Sequence, residues 1–148
     1  MKLVLQRVLR AEVKVREDII SSIGRGLLIF LGVQKGDTET DIENLVSKVI
    51  NLRIFDNDQG KFDLSIKDVN GSVMLISNFT LCNDKKHGRR PSFFDAEMPE
   101  VAKRIYYRFA DLLKKEISDV KTGAFGEHMH ILTENDGPVT MIFETQKG

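Results

Sequence analysis

The run from Leu27 to Val33 is nearly all apolar, and it limits the possible folds more than any other segment. It has the length of a strand. Being apolar throughout, it reads as a central strand covered on both faces rather than one with a wet side. Such a strand needs material above and below its sheet. Ala11, Val13 and Val15 alternate with Glu12, Lys14 and Arg16, the period-two pattern of a half-buried strand. Ile19 to Ile23 adds another strand, and Gly24-Arg25-Gly26 before Leu27 is a tight-turn signal. Asn70-Gly71 is a turn into the short buried strand Val73 to Ile76. Two further strands are expected around His128 to Thr133 and Val139 to Glu144, with Asn135 to Pro138 between them.

Helices supply the covering layer. Ile42, Leu45, Val46, Val49 and Ile50 recur at helical spacing, and Thr38 or Thr40 serves as N-cap with Asp41 or Glu43 three residues on. Asp56 to Gly60 is a loop by composition. Pro99 fits the first position of a second helix, whose inward stripe is Ala102, Ile105, Tyr106, Phe109, Leu112, Leu113 and Ile117. Lys114 and Lys115 fall near its end, where the helix dipole favours cations. The expected class is α/β. It is a single domain over 1–148 of mixed, mainly antiparallel β-sheets, barrel-like or in β/β/α layers, with two main helices on one side.

Composition narrows the function. Hydrophobic residues make up 41% of the 148, enough for a core without disulfides or metal. Charged residues make up 30%, and no apolar run reaches the roughly 18 residues of a membrane span. Gln6, Arg7 and Arg10 interrupt any signal-peptide core, and the lone Cys82 suits a reducing compartment, so a cytoplasmic location is expected. Lys and Arg together number 22, as do Asp and Glu, a balance that speaks against coating RNA by bulk charge. The balance is uneven in space, because Lys85-Lys86-His87-Gly88-Arg89-Arg90 holds four fixed positive charges in six residues. That segment reads either as a solvated loop or as an anion-binding one.

Four other segments can carry chemistry. Ser77-Asn78-Phe79-Thr80 places two hydroxyls and an amide at a strand end, as a site or as backbone caps. No His–Asp pair adjoins it in sequence, so an activated-hydroxyl triad is unsupported. Asn135-Asp136-Gly137-Pro138-Val139-Thr140 is a hairpin turn, or a place where a ligand approaches bare backbone at Gly137. His128 and His130 have the spacing of some metal pairs, which would need a remote third ligand such as His87, or they are plain surface or core histidines. Thr122 to Glu127, with two glycines around Phe125, is a shaped loop or a strand-entry turn.

With these segments in place, the chain resembles the D-aminoacyl-tRNA deacylases, also called D-tyrosyl-tRNA deacylases. The shared motifs are Gln6-Arg7-Val8, Leu52-Arg53-Ile54-Phe55, Ser77-Asn78-Phe79-Thr80-Leu81, Gly88 to Phe93, Thr122 to Gly126, and Asn135 to Thr140, in order along nearly the whole chain. The resemblance implies hydrolysis of the ester between a D-amino acid and the 3′-terminal adenosine of tRNA. It implies removal of glycine from mischarged tRNA-Ala as well, and so a proofreading role in translation. It implies a homodimer in which Gly137-Pro138 of each subunit enters the partner's pocket and rejects L-amino acids, with Arg7 bracing that loop. Thr80, Ser77 and Phe79 are the implied catalytic group, with Thr80 either attacking or orienting. Asn78 and Phe125 are implied at the substrate, and Lys85, Lys86, Arg89 and Arg90 at the tRNA. No metal and no cofactor are implied. The partners expected are the aminoacylated 3′ end of tRNA and a second copy of the chain, with no membrane and no DNA.

Two positions depart from the family pattern: Asn78 stands where Gln is usual, and Glu127 where Ala is common. Two competing readings are a non-catalytic RNA-binding module and a threonine esterase acting on small molecules.

Overall fold

A computed structural model describes residues 1–84 and 88–145. The chain begins with β1 (Lys2–Val15), β2 (Asp18–Ile23) and β3 (Gly26–Gly32). Residues Lys2 to Val8 of β1 pair antiparallel with β3, and Ala11 to Val15 pair with β2. Ala11 faces Ile23 just as Val8 faces Gly26, so one register runs through both strands. The tight turn expected at Gly24-Arg25-Gly26 is therefore a correction: it is a bend inside one long partner of β1, and the chain reverses earlier, at Arg16-Glu17.

Helix α1 (Glu39–Asn51) follows. Thr38 caps it, accepting from the Asp41 N–H while the Asp41 carboxylate accepts from the Thr38 N–H. Such a reciprocal box is worth about 1 kcal/mol. Ile42, Leu45, Val46, Val49 and Ile50 face the core. Next comes a small hairpin of β4 (Phe55–Asp56) and β5 (Phe62–Leu64), strands too short for periodicity to reveal. β6 (Ser72–Ser77) lies parallel to β3, and α2 (Pro99–Glu116) starts with Pro99 in its first turn. Tyr106, Phe109, Ala110 and Leu113 are its buried face. Each such large side chain contributes about 1.5–3 kcal/mol by burial.

β7 (Val120–Thr122) lies parallel to β6, and β8 (His130–Glu144) closes the fold. The hairpin reading of Asn135 to Pro138 is also corrected. β8 continues through those residues without reversing and pairs with β1 along its other edge on both sides of them, from Lys14–His130 to Lys2–Glu144.

The strand order is β2-β1-β3-β6-β7, with β8 on β1. Its ends nearly meet, because the Ser21 hydroxyl of β2 donates to the Thr122 carbonyl of β7 at 2.9 Å. The sheet is mixed and almost closed like a barrel, with both helices on one face. Leu3, Leu5, Ile29, Leu31 and Leu75 pack against them. Val8, Ala11, Val13, Leu28, Met74 and Ile76 fill the other, inner side. Among the described residues no helix is long and apolar enough to cross a membrane.

Candidate active site

The turn carrying Ser77 to Thr80 forms where β6 runs past its partner. Ser77 is the last residue paired, opposite Leu31, and the Asn78 N–H still donates to the Leu31 carbonyl at 2.8 Å. The chain then tightens into a single 3-10 turn, Phe79–Cys82. Asn78 caps it. Its Oδ1 accepts from the Thr80 N–H at 3.3 Å and from the Thr80 hydroxyl at 2.5 Å. The shorter amide at position 78 thus turns back on its own chain. Asn83 Nδ2 donates to the Thr80 carbonyl at 3.1 Å, and the buried Cys82 thiol to the Val33 carbonyl at 3.5 Å. Thr80 and Phe79 are exposed, while Ser77 and Asn78 are half-buried. A neutral amide oxygen is no base at ordinary pH, so this contact orients the Thr80 hydroxyl without activating it.

A second constellation surrounds Arg7. Leu3, Leu5 and Arg7 point to the same side of β1, and Arg7 is only 6% exposed. Its Nε donates to the Asp136 carbonyl at 3.0 Å and lies 3.3 Å from the Asp136 carboxylate. Its Nη1 donates to the Ile54 carbonyl at 2.8 Å and to Asp56 Oδ1 at 3.2 Å. The Phe62 ring lies beside the guanidinium, 5.6 Å from its centroid. The β4–β5 hairpin, invisible in the sequence, thus supplies Asp56 and Phe62 as Arg7's companions. The one available signal was the Leu3-Leu5-Arg7 alternation, which puts a guanidinium on a buried face.

Opposite Arg7, β8 arches away. Gln6 pairs with Thr140 and Val8 with Asn135, so four residues, Asp136 to Val139, face one. This is a bulge that reaims backbone outward. Gly137 and Pro138 are exposed and the peptide between them is cis, while Val139 tucks into the core. Gly137 has φ +143, and a Cβ there would sit 2.6 Å from the Val139 nitrogen, so a side chain has no place.

Within one chain these two groups stay apart. Arg7 pairs with Leu27, Leu27 with Val73, and Ser77 lies four residues further along β6. Ordinary strand spacing makes that about 13 Å along the sheet and about 10 Å across it, with the bulge a further strand away.

Phe125 is half-buried, its ring centroid 5.6 Å from that of Tyr106. The Tyr106 hydroxyl donates to the Leu75 carbonyl at 2.6 Å, and burial pushes its pKa well above the ordinary phenol value, so it stays a donor. Arg89 and Arg90 are exposed in the segment leading to Ser92, which bridges to Asp84 beside the 3-10 turn. Lys85, Lys86 and His87 lie outside the described residues. Glu127 is exposed. His128 and His130 meet edge to face at 5.3 Å, and among the described residues no cluster of three His, Cys, Asp or Glu is placed to hold a metal ion. A cleft of about 580 Å³ opens elsewhere, between Arg10, Glu12, Ser22 and Leu132.

A family described as D-Tyr-tRNA(Tyr) deacylase matches residues 4–144. A D-aminoacyl-tRNA deacylase of Aquifex aeolicus (strain VF5) is 48% identical over 99% of both chains. One of Persephonella marina (strain DSM 14350 / EX-H1) is 50% identical over 97% of both. A solved structure of a c-Myc DNA unwinding element binding protein superposes with TM-score 0.94 at 38% identity, covering 99% of this chain and 100% of the other. A probable eukaryotic D-amino acid tRNA deacylase shares the fold, with TM-score 0.81 at 16% identity over 96% of this chain and 97% of that one. Fold and relatives define the class as a hydrolase. Within that class, the chain belongs to the D-aminoacyl-tRNA deacylase family.

Proposed function

We propose that this chain hydrolyses the ester joining a D-amino acid to the 3′-terminal adenosine of tRNA, and clears glycine from mischarged tRNA-Ala by the same step. Water adds to the ester carbonyl, the tetrahedral intermediate collapses, and the ribose oxygen leaves as a hydroxyl. The products are free tRNA and free amino acid. The observation that carries the reading is the Thr80 turn, where the neutral Asn78 amide orients the hydroxyl and, among the described residues, no basic side chain is hydrogen-bonded to it. That arrangement favours water as the attacking group, with the ribose 2′-hydroxyl assisting and the backbone near Phe79 and Thr80 positioning the amino group and carbonyl. An aminoacyl ester is labile enough for positioning to supply much of the rate.

Selection by hand belongs to Gly137-Pro138 in this reading. Two copies related by a two-fold axis would each lend the bulge to the other's Thr80 turn, which the separation of the two groups within one chain supports. The sheet face away from the helices offers a surface for the second copy. Val4 pairs there with Phe30 and Ile142, and Ile142 is 73% exposed. Rigid backbone in the space of an L side chain rejects L substrates by clash, and glycine passes because it has no side chain to exclude.

The direct test is release of D-tyrosine, but not L-tyrosine, from charged tRNA; equal release of both, or of neither, sinks the reading. Thr80→Ala is expected to lower kcat about ten- to hundredfold, whereas a nucleophile's loss would leave only background. A Thr80 acyl-enzyme trapped on mass spectrometry would favour the esterase reading instead. Pro138→Ala is expected to cut the D-over-L preference at least about tenfold. It is to be measured on material whose light-scattering mass is twice the chain's. A monomer that still rejects L-Tyr-tRNA would refute the shared site. Because one relative is described as a DNA-binding protein, duplex DNA is the control competitor.

A further inference from the structure

Among the described residues, the most exposed phenylalanine is left unused by the reaction above. Phe94 is 74% exposed. Lys35 lies over one face of its ring, Nζ 3.9 Å from the centroid. The backbone on either side of the pair is anchored. The Lys35 N–H donates to the Asp95 carbonyl at 3.0 Å, and the Glu97 N–H to the Val33 carbonyl at 3.0 Å. Gln34 and Ala96 form a bridge between the same two segments. The Ser92 hydroxyl donates to Asp84 at 3.0 Å at the other end. Two anchors thus hold residues 92–97 against the end of β3 and the 3-10 turn.

Aromatic groups connect this spot to the proposed reaction centre. Phe79, next to Thr80 and 59% exposed, meets Phe93 edge to face at 5.1 Å, and Phe93 adjoins Phe94. Arg89 and Arg90 are exposed just before Ser92. Of the two acids in the segment, Glu97 turns its carboxylate to the Met98 N–H. Asp95 contributes its carbonyl to Lys35.

We infer that Phe94 with Lys35 is a stacking platform for the unpaired nucleotides that precede the terminal adenosine of tRNA. This rests on the reading of Thr80 as the place where the ester sits. If the terminal nucleotide is held there, the preceding ones must cross neighbouring surface. Phe94 presents a π-face to a base, while Lys35, Arg89 and Arg90 supply cations for the phosphates that follow it. A purely apolar protein contact would not need cations around its aromatic centre.

The test is binding of uncharged tRNA to the full-length protein, with the tRNA intact or trimmed of its unpaired 3′ nucleotides. Phe94→Ala is expected to weaken intact tRNA roughly tenfold, the scale of one lost stacking contact, and to weaken trimmed tRNA less than twofold. Phe94→Trp is expected to restore the intact-tRNA affinity. An equal loss on both RNAs, no loss on either, or a change in self-association with unchanged RNA binding would overturn the platform. The last outcome would make the patch a protein contact. The readout requires no turnover. A wild type that binds the 3′ end through Phe94 yet hydrolyses nothing would refute the proposed reaction and leave this inference standing.

Discussion

Arg7→Ala is expected to destabilise the fold by about 3 kcal/mol and, in the same molecule, to erode discrimination between D and L substrates. The cost is built from identifiable pieces. Arg7 is almost fully buried, and it satisfies the Ile54 and Asp136 carbonyls at 2.8 and 3.0 Å. Removing a charged donor leaves those acceptors short of a partner and opens space where its aliphatic stem packed. The ionic part adds little. Asp56 and Asp136 are 43% and 37% exposed, so their carboxylates rehydrate once Arg7 is gone. Lysine is a poor substitute, because one ammonium cannot reach both carbonyls as the guanidinium fork does. Urea denaturation measures the first effect, and the ratio of D- to L-Tyr-tRNA hydrolysis the second. A variant with wild-type stability would show that Arg7 is dispensable to the arch. A destabilised variant with full chiral preference would show that the bulge holds its place without it.

Gly26→Ala is expected to be as damaging, with no functional component at all. Gly26 opens β3 opposite Ser72 of the parallel strand β6. A Cβ there would lie 1.8 Å from the Ser72 carbonyl oxygen and under 3 Å from the Ser72 carbonyl carbon and nitrogen. These are backbone atoms in a ladder, so neither strand can step aside without breaking hydrogen bonds. The expected loss is about 3 kcal/mol or more, at the upper end for overpacking. Thermal unfolding checks it. Gly24→Ala, at a position with nothing within 4 Å of a Cβ, is the matched control. Similar melting temperatures for the two variants would mean that β3 and β6 part more easily than their register suggests.

Both positions show what a linear reading can and cannot recover. The helices were legible because their apolar residues recur at helical spacing and carry local signals, such as the Thr38–Asp41 box. Leu27 to Val33 was legible as a central strand because it is apolar on both faces. The misread places are those where glycine or proline serves the sheet rather than ending it. Gly24-Arg25-Gly26 and Asn135 to Pro138 have turn composition, yet β1 keeps one register past the first and resumes pairing beyond the second. Composition reports what the backbone can do locally, whereas pairing is decided by a partner elsewhere in the chain, β1 in both places. The same limit applied to the site. Arg7 is marked by resemblance, but its Asp56 partner lies in a strand of two residues, too short to show a period, and Ile54 just precedes that strand. Phe94 carries no signature in the sequence, because an exposed aromatic next to a motif is defined only by its neighbours in space.

The pairing of β1 with β8 also bears on how the molecule is made. β1 lies near the beginning of the sequence and β8 near its end, and they meet along nearly their whole length. Contacts of such long separation form late and slowly. During synthesis, one edge of β1 can be covered soon by β2 and β3, while the other waits for the final strand. An unpaired edge of that length is a template for intermolecular pairing. The Thr80 turn needs only β3 and β6 to be in place, but the Gly137-Pro138 arch does not exist until β8 docks. Assembly therefore runs in a set order, the Thr80 turn first and the Gly137-Pro138 arch last. The nascent chain's most vulnerable interval is the one in which it has acquired the first but not the second.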